Sequence, residues 1–156
     1  MKDTALYEQL LGIKDPWIVK TVGLCVDKEQ VIVELVLKEN QIWADPIDPT
    51  KRAHIHGWNK RHWRHLDTCQ FETIITARVP QLKYSDGTVA ELAVPWADRY
   101  SRVTVLMTGF VIKLLQVCSS TQAVCNFTRL SWGTVNAIMV NAVERGMLRR
   151  TEEEIT

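Results

Sequence analysis

The stretch from Ser119 to Gly146, SSTQAVCNFTRLSWGTVNAIMVNAVERG, constrains this chain more than any other. It reads as two helices joined by a tight turn. Ser119 or Ser120 stands where an N-cap belongs for a short first helix that carries Ala123, Val124 and Phe127 on its apolar side. The turn falls at Thr128-Arg129-Leu130, and Ser131 is placed to offer its hydroxyl to the unpaired amides of a second helix. Val135, Ile138, Met139, Ala142 and Val143 then recur at helical spacing, and Gly146 follows as a C-cap. A small Ala in the first helix, a Leu in the turn and apolar residues three apart in the second are what a helix-turn-helix needs. The helices cross closely, and the second keeps one face free for a DNA groove or another partner. The same pattern also suits a plain helical hairpin in an all-helical subdomain.

The chain has 156 residues, 46% of them apolar, enough for one domain of ordinary size or two small ones around a buried core. No apolar run approaches the length of a membrane span, and the start, MKDTALYEQL, lacks the basic and apolar regions of a signal peptide. Cys25, Cys69, Cys118 and Cys125 show neither C-x-x-C spacing nor a disulfide framework, which points to a reducing, cytoplasmic setting. The net charge of +1 conceals a polarity. Residues 1–50 carry five basic and nine acidic side chains, residues 51–101 eight and five, and residues 102–150 six and one, before the acidic tail TEEEIT. The segment holding the two helices has the charge of a small nucleic-acid reader, and the first lobe does not.

In chain order, Thr4 to Gly12 suggests a short amphipathic helix, ended by Asp15-Pro16. Trp17–Val26 and Gln30–Leu37, rich in Val and Ile and separated by Asp27-Lys28-Glu29, form a β-hairpin. Asn40 to Lys60, with Pro46 and Pro49 and few periodic apolar residues, reads as a long loop. Arg61–Leu66 and Cys69–Val79 alternate as two strands, and a turn at Ser85-Asp86-Gly87 leads to another over Thr88–Val94. Pro95-Trp96-Ala97-Asp98 closes this half, and a helix begins at Ser101. The fold class is therefore α+β, with a β-rich domain over residues 1–98, a three-helix helix-turn-helix domain over 99–150 and an acidic tail over 151–156.

Particular runs give this outline a family. WRHLDTCQFETIITARVP (Trp63 to Pro80), VPWAD (Val94 to Asp98), Ser101-Arg102 and LSW followed by Val135 occur in that order, flanked by LYEQLLGIKDPWIVK and AVERGMLRR. Together they resemble the N-terminal region of bacterial insertion-sequence transposases of the ISL-three type. The resemblance implies a zinc-finger-like β-domain and a helix-turn-helix that binds terminal repeats of duplex DNA. In the family a separate downstream domain uses acidic residues and divalent metal to cut and join DNA.

Departures from the family qualify what is carried over. Ala44-Asp45-Pro46-Ile47-Asp48 stands where the family has its Cys-Pro-x-Cys-Gly ligand pair, and Tyr84-Ser85-Asp86-Gly87 where it has the second pair. None of the four zinc ligands remains, so no zinc is expected there and packing of Trp43, Trp58 and Tyr84 is expected to hold the region. His54, His56, His62 and His65 put four imidazoles, good ligands for zinc, nickel or copper, within twelve residues. No orienting carboxylate pattern accompanies them, and the alternative is two histidines alternating along a strand with two in a solvated loop. No metal and no cofactor is therefore expected.

The chain ends six residues after Arg150, before the family's catalytic domain would supply its first Asp, and no nucleophilic motif is present, so no enzymatic activity is expected. The second helix holds no Lys or Arg from Ser131 to Glu144. Its expected exposed residues are Trp132, Thr134, Asn136, Ala137, Val140 and Asn141, with Trp132 packing on Phe127 at the helix start. Asn136 suits adenine, Thr134 or Asn141 suits phosphate, and Arg129, Arg145, Arg149 and Arg150 supply positive charge, with Lys113 as a further candidate. Two functions follow: a non-catalytic DNA-binding regulator or accessory factor, or a protein-interaction module repurposed from the fold, such as a small phage- or mobile-element-borne inhibitor of a host nucleic-acid system. The partner is duplex DNA in the first and a host protein or nucleoprotein complex in the second. Neither reading places the chain in a membrane or fixes its oligomeric state.

Overall fold

A computed structural model describes the backbone of residues 2–155 and the side chains of residues 2–146. The chain is α+β and divides into two compact units, Met1–Thr104 and Val105–Thr156. The first opens with α1 (Asp3–Leu11), closed by Gly12 in the left-handed conformation at φ 65°. It continues through β1 (Trp17–Cys25), β2 (Gln30–Leu37), β3 (Trp43–Ala44), β4 (Arg52–Thr68), β5 (Phe71–Lys83) and β6 (Val89–Glu91). These form one sheet in the order β1-β2-β5-β4-β3, with β6 on β5. Only the β2–β5 pair is parallel among them.

Alternation explains the core of this unit. Val31, Val33 and Leu35 of β2 fall beside Thr73, Ile75 and Ala77 of β5, which in turn face His65, Trp63 and Arg61 of β4. All but Arg61 are buried, and α1 covers that face with Tyr7 and Leu11. Trp96 wedges in edge-on, its ring 4.8 Å from Trp17 and 5.3 Å from Trp63. Three large rings packed edge to face give a small domain much of its buried apolar area. The Tyr7 hydroxyl shares a 2.5 Å hydrogen bond with Thr68 Oγ1, tying the helix to the β4–β5 turn.

Local pattern and observed structure part in three places here. The expected loop over Asn40–Lys60 is shorter, because β4 is a 17-residue strand beginning at Arg52. A bulge between Ile55 and Gly57 shifts its register against β5, and His54, Ile55 and His56 are all exposed there. The strand expected over Thr88–Val94 is the three-residue β6. Ser101–Thr104 is extended rather than helical. Arg64 N–H donates to Arg102 O (2.9 Å) and Thr104 N–H to Arg64 O (3.0 Å), a parallel bridge that a helix could not make. The Ser101 hydroxyl, bonded to the backbone of Val103, competes with helix in the same way. Residues 99–104 thus lie with the sheet, and the division falls after Thr104, where the sequence placed it after Asp98.

The second unit consists of α2 (Val105–Val117), α3 (Thr121–Thr128) and α4 (Trp132–Ile155). Among the described residues, Met107, Val111, Val124, Cys125, Val135 and Ile138 are its buried apolar ones. Gly146 does not end α4: it keeps helical backbone angles, and the helix runs on to Ile155. The side chains of the acidic tail over 151–156 lie outside the described residues. Among the described residues no helix is long and apolar enough to cross a membrane.

Candidate nucleic-acid interface

The helix-turn-helix is built by local hydrogen bonds that the sequence supplies. Ser120 is extended and its Oγ accepts from Ala123 N–H at 3.1 Å, capping α3. Inside α3, Thr128 Oγ1 donates to Val124 O (2.8 Å) and accepts from Leu130 N–H (3.3 Å), so one buried hydroxyl spans helix end and turn. Arg129 takes the left-handed conformation (φ 62°) and its N–H returns to Cys125 O at 2.8 Å. A non-glycine residue there bears some strain, which these bonds offset. Ser131 Oγ then accepts from Thr134 N–H (3.2 Å) and caps α4.

Burial sorts the residues of α4. Val135 and Ile138 point into the unit, while Trp132, Ala137, Val140 and Asn141 are exposed. Thr134 and Asn136 are half-buried, and Thr134 Oγ1 is 2.9 Å from Ser131 Oγ, so its hydroxyl belongs to the cap. Trp132 is 58% exposed and Phe127 66%, and the ring near Phe127 is Phe110, 6.4 Å away. The expected Trp132–Phe127 contact and the inward placement of Phe127 are therefore corrected: Phe127 lies on the solvent side of α3. Arg129 and Arg145 are exposed, as is Lys113 on α2. From Trp132 to Arg145 α4 rises about 20 Å at 1.5 Å per residue, so the two arginines bracket a helix face with no cation of its own. The side chains of Arg149 and Arg150 lie outside the described residues.

The two segments aligned with the family's zinc ligands meet through one carboxylate. Asp45 is 1% exposed. Its Oδ1 accepts from Ile47 N–H (2.9 Å) and its Oδ2 from Ser85 N–H (2.7 Å), so it spans the two loops. Burial pushes the Asp45 carboxyl up, but hydrogen bonds from the Ser85 side chain and from the amides of Ile47, Ser85 and Asp48 outweigh it and hold it below its ordinary value. Asp48 and Asp86 are turn caps, each bonded to the amide and hydroxyl of the threonine two residues on. A structural zinc takes thiolate or imidazole in a closed shell. Here the inward oxygens already serve amide donors, and the donor set does not fit the metal. Packing of Trp43, Trp58 and Tyr84 was expected to hold this region, yet Trp58 is 43% exposed and stacks under Arg78, 5.6 Å from its ring, while the bond between the loops is Asp45.

The four histidines do not converge. All lie on β4, and His54 and His62 are about 26 Å apart at roughly 3.3 Å per residue. His54, His56 and His62 are exposed, whereas His65 is buried with Nδ1 2.7 Å from Thr104 Oγ1. Among the described residues no group of three His, Cys, Asp or Glu side chains could hold a metal ion. What the sequence reading missed on this strand is its length: Arg52, His54, Ile55, His56, Trp58, Lys60 and His62 are exposed in a segment without an acidic residue, and it lacks the buried apolar alternation that marks a strand.

Residues 92–143 match the family described as the helix-turn-helix domain of transposase family ISL3. Residues 42–86 match the zinc-finger of transposase IS204/IS1001/IS1096/IS1165. Over 83 residues the chain is 35% identical to the transposase for insertion sequence element IS1557 of Mycobacterium tuberculosis strain CDC 1551 / Oshkosh, and equally to that of strain ATCC 25618 / H37Rv. These matches take in 53% of this chain but only 18% of each relative. No solved structure matches the chain. Taken in their order along the sequence, the zinc-finger and helix-turn-helix matches place this chain with the N-terminal region of ISL3-type insertion-sequence transposases.

Proposed function

We propose that this chain is a non-catalytic duplex-DNA-binding module, acting as a regulator or accessory factor at terminal-repeat or operator-like sites. The observation that carries the reading is the capped α3–turn–α4 unit, whose second helix carries the exposed Asn141 and the half-buried Thr134 and Asn136 between Arg129 and Arg145. In this reading Asn136 bonds a base edge, Asn141 and the Ser131–Thr134 cap meet the backbone, and Arg129, Arg145, Arg149 and Arg150 neutralise phosphates. A second reading, a protein-interaction module, draws on the exposed Trp132, Val140 and Val143 and the lack of cations from Ser131 to Glu144.

Titration of duplexes selected from a random pool, against unselected duplex and at two salt concentrations, separates the two. Asn136→Ala is expected to cost about 1–3 kcal/mol on the selected duplex and little on random sequence. Each Arg→Ala change is expected to lower the salt slope by about one unit without altering sequence preference. Failure to select any preferred duplex, or equal binding of wild type and Asn136→Ala to all of them, overturns the DNA-reader assignment.

A further inference from the structure

The edge of a sheet offers unpaired N–H and C=O groups to any extended chain, and folded proteins guard such edges with charge, proline or bulges. In the first unit β4 and β1 both leave such an edge among the described residues. β3 covers β4 at Arg52 and Ala53, and the bridge to Val103 covers it at Arg64. Between these points β4 carries a bulge and the side chains of His54, His56, Lys60, Arg61 and His62, so this edge is guarded. At the opposite side β1 is the last strand. Its first half is guarded as well: Val19 N–H donates to Glu8 Oε1 at 3.5 Å, and the register breaks between Val19 and Thr21, at Lys20. The second half, residues 21–25, is not. It pairs in unbroken register with residues 30–34 of β2 and holds neither a charge nor a proline. Val22 and Leu24 stand opposite the buried Val33 and Val31 and share their face, yet Leu24 is 60% exposed.

We infer that residues 21–25 of β1 are a dimerisation edge, pairing antiparallel with the same residues of a second copy about a twofold axis at Gly23. An edge that pairs with itself in this way makes an isologous contact, with the same sheet face up in both copies. Val22 then lies opposite Leu24 of the second copy, and Leu24 opposite its Val22. An apolar row runs unbroken across the junction, from Val31 and Leu24 to Val22 and Val33 of the second copy, and symmetry supplies it twice. On the other face Gly23 meets its own mate. A Cβ placed on Gly23 finds no atom within 4 Å, so the approach is open there. Antiparallel alignment also brings Lys20 of one copy to the exposed turn Asp27-Lys28-Glu29 of the other, which carries two acids and one base. The backbone groups suit any extended peptide. The match of the apolar row and of the end charges to themselves selects a second copy.

Sedimentation of the full chain across a dilution series, without DNA, keeps this test apart from that of the helix-turn-helix. Wild type is expected to pass from dimer to monomer on dilution. Leu24→Lys, at an exposed position, is expected to weaken the dimer by about tenfold or more, because one change removes two burials. Val143→Lys on α4 is expected to leave it unchanged. In wild type, amide exchange within residues 21–25 should slow as protein concentration rises, a readout that needs no variant to fold. With Cys25, Cys69 and Cys118 changed to Ser, Gly23→Cys is expected to give a disulfide-linked dimer under mild oxidant, since residues directly opposite on paired strands are within disulfide reach. A chain that is monomeric throughout the series, or exchange indifferent to concentration, overturns the proposal. So does a dimer that Val143→Lys dissolves and Leu24→Lys does not. Binding of an unrelated extended peptide to a monomeric chain, lost in Leu24→Lys, overturns it too, since the edge would then serve other chains.

Discussion

Asp45 shows how a single buried carboxylate can tie two loops together. Its two oxygens point to amides in two loops that lie 40 positions apart in sequence, and each amide is a donor that burial would leave unpaired. Asp45→Asn keeps the shape but turns one acceptor into a donor facing a donor, so it is expected to destabilise the first unit by about 1–3 kcal/mol. Thermal unfolding of the variant measures this. In the same experiment a chelator is expected to leave the wild-type transition where it was, because among the described residues no group of three His, Cys, Asp or Glu side chains could hold a metal ion. A transition lowered by chelator, or tightly bound zinc at one equivalent, would sink this account. That Asp45 and Asp48 stand in the stretch compared with the family's first ligand pair is legible in the sequence. That one of them bridges the loops was not, because the bond from Asp45 to Ser85 is non-local and nothing near either residue announces it.

Among the elements, legibility follows the range of the interactions that make them. The helix-turn-helix could be read from sequence because its determinants lie within four residues of where they act: Ser120 on Ala123, Thr128 on Val124, Ser131 on Thr134. The beginning of β4 was hidden because His54, Ile55 and His56 are exposed in a row and a bulge interrupts the register, so no apolar alternation marks the strand. Ser101–Thr104 was misread as helix because its partner, Arg64, lies far upstream. Gly146 looked like a terminator, yet a glycine ends a helix only when the chain needs a left-handed residue there, and α4 does not. The capping argument predicts its own mutant. Ser131→Ala is expected to lower the stability of the second unit by about 0.5–2 kcal/mol, and Ser131→Asp to recover most of it, as an oxygen acceptor returns to the Thr134 amide. Helical circular dichroism followed through melting checks both. Equal losses in the two variants would mean that the hydroxyl matters for something other than the cap.

At the scale of the whole molecule, the β-rich unit rests on a core that has an imidazole, His65, built into its wall. His65 is buried on β4, bonded to Thr104, and beside Arg64. Burial, with the Arg64 charge adding to it, pushes the imidazole down to about 4 from its ordinary 6.5. The folded unit therefore holds His65 neutral while the unfolded chain protonates it below 6.5. Stability from this group is complete above that pH, declines as the pH falls, and levels off below about 4. The full interval corresponds to about 3 kcal/mol, of which about 2 should be gone by pH 5. Most carboxylates remain ionised at pH 5, so the window from pH 7 to 5 isolates the histidine from acid unfolding. Denaturant unfolding of the first unit, followed by the fluorescence of the buried Trp17, Trp63 and Trp96, supplies the measurement. Wild type is expected to lose stability across the window, and His65→Gln, which keeps a neutral partner for Thr104, to lose much less. Identical pH dependence in the two proteins would show that His65 is protonated within the fold, and that the Thr104 hydroxyl accepts from an imidazolium rather than sharing a neutral hydrogen bond.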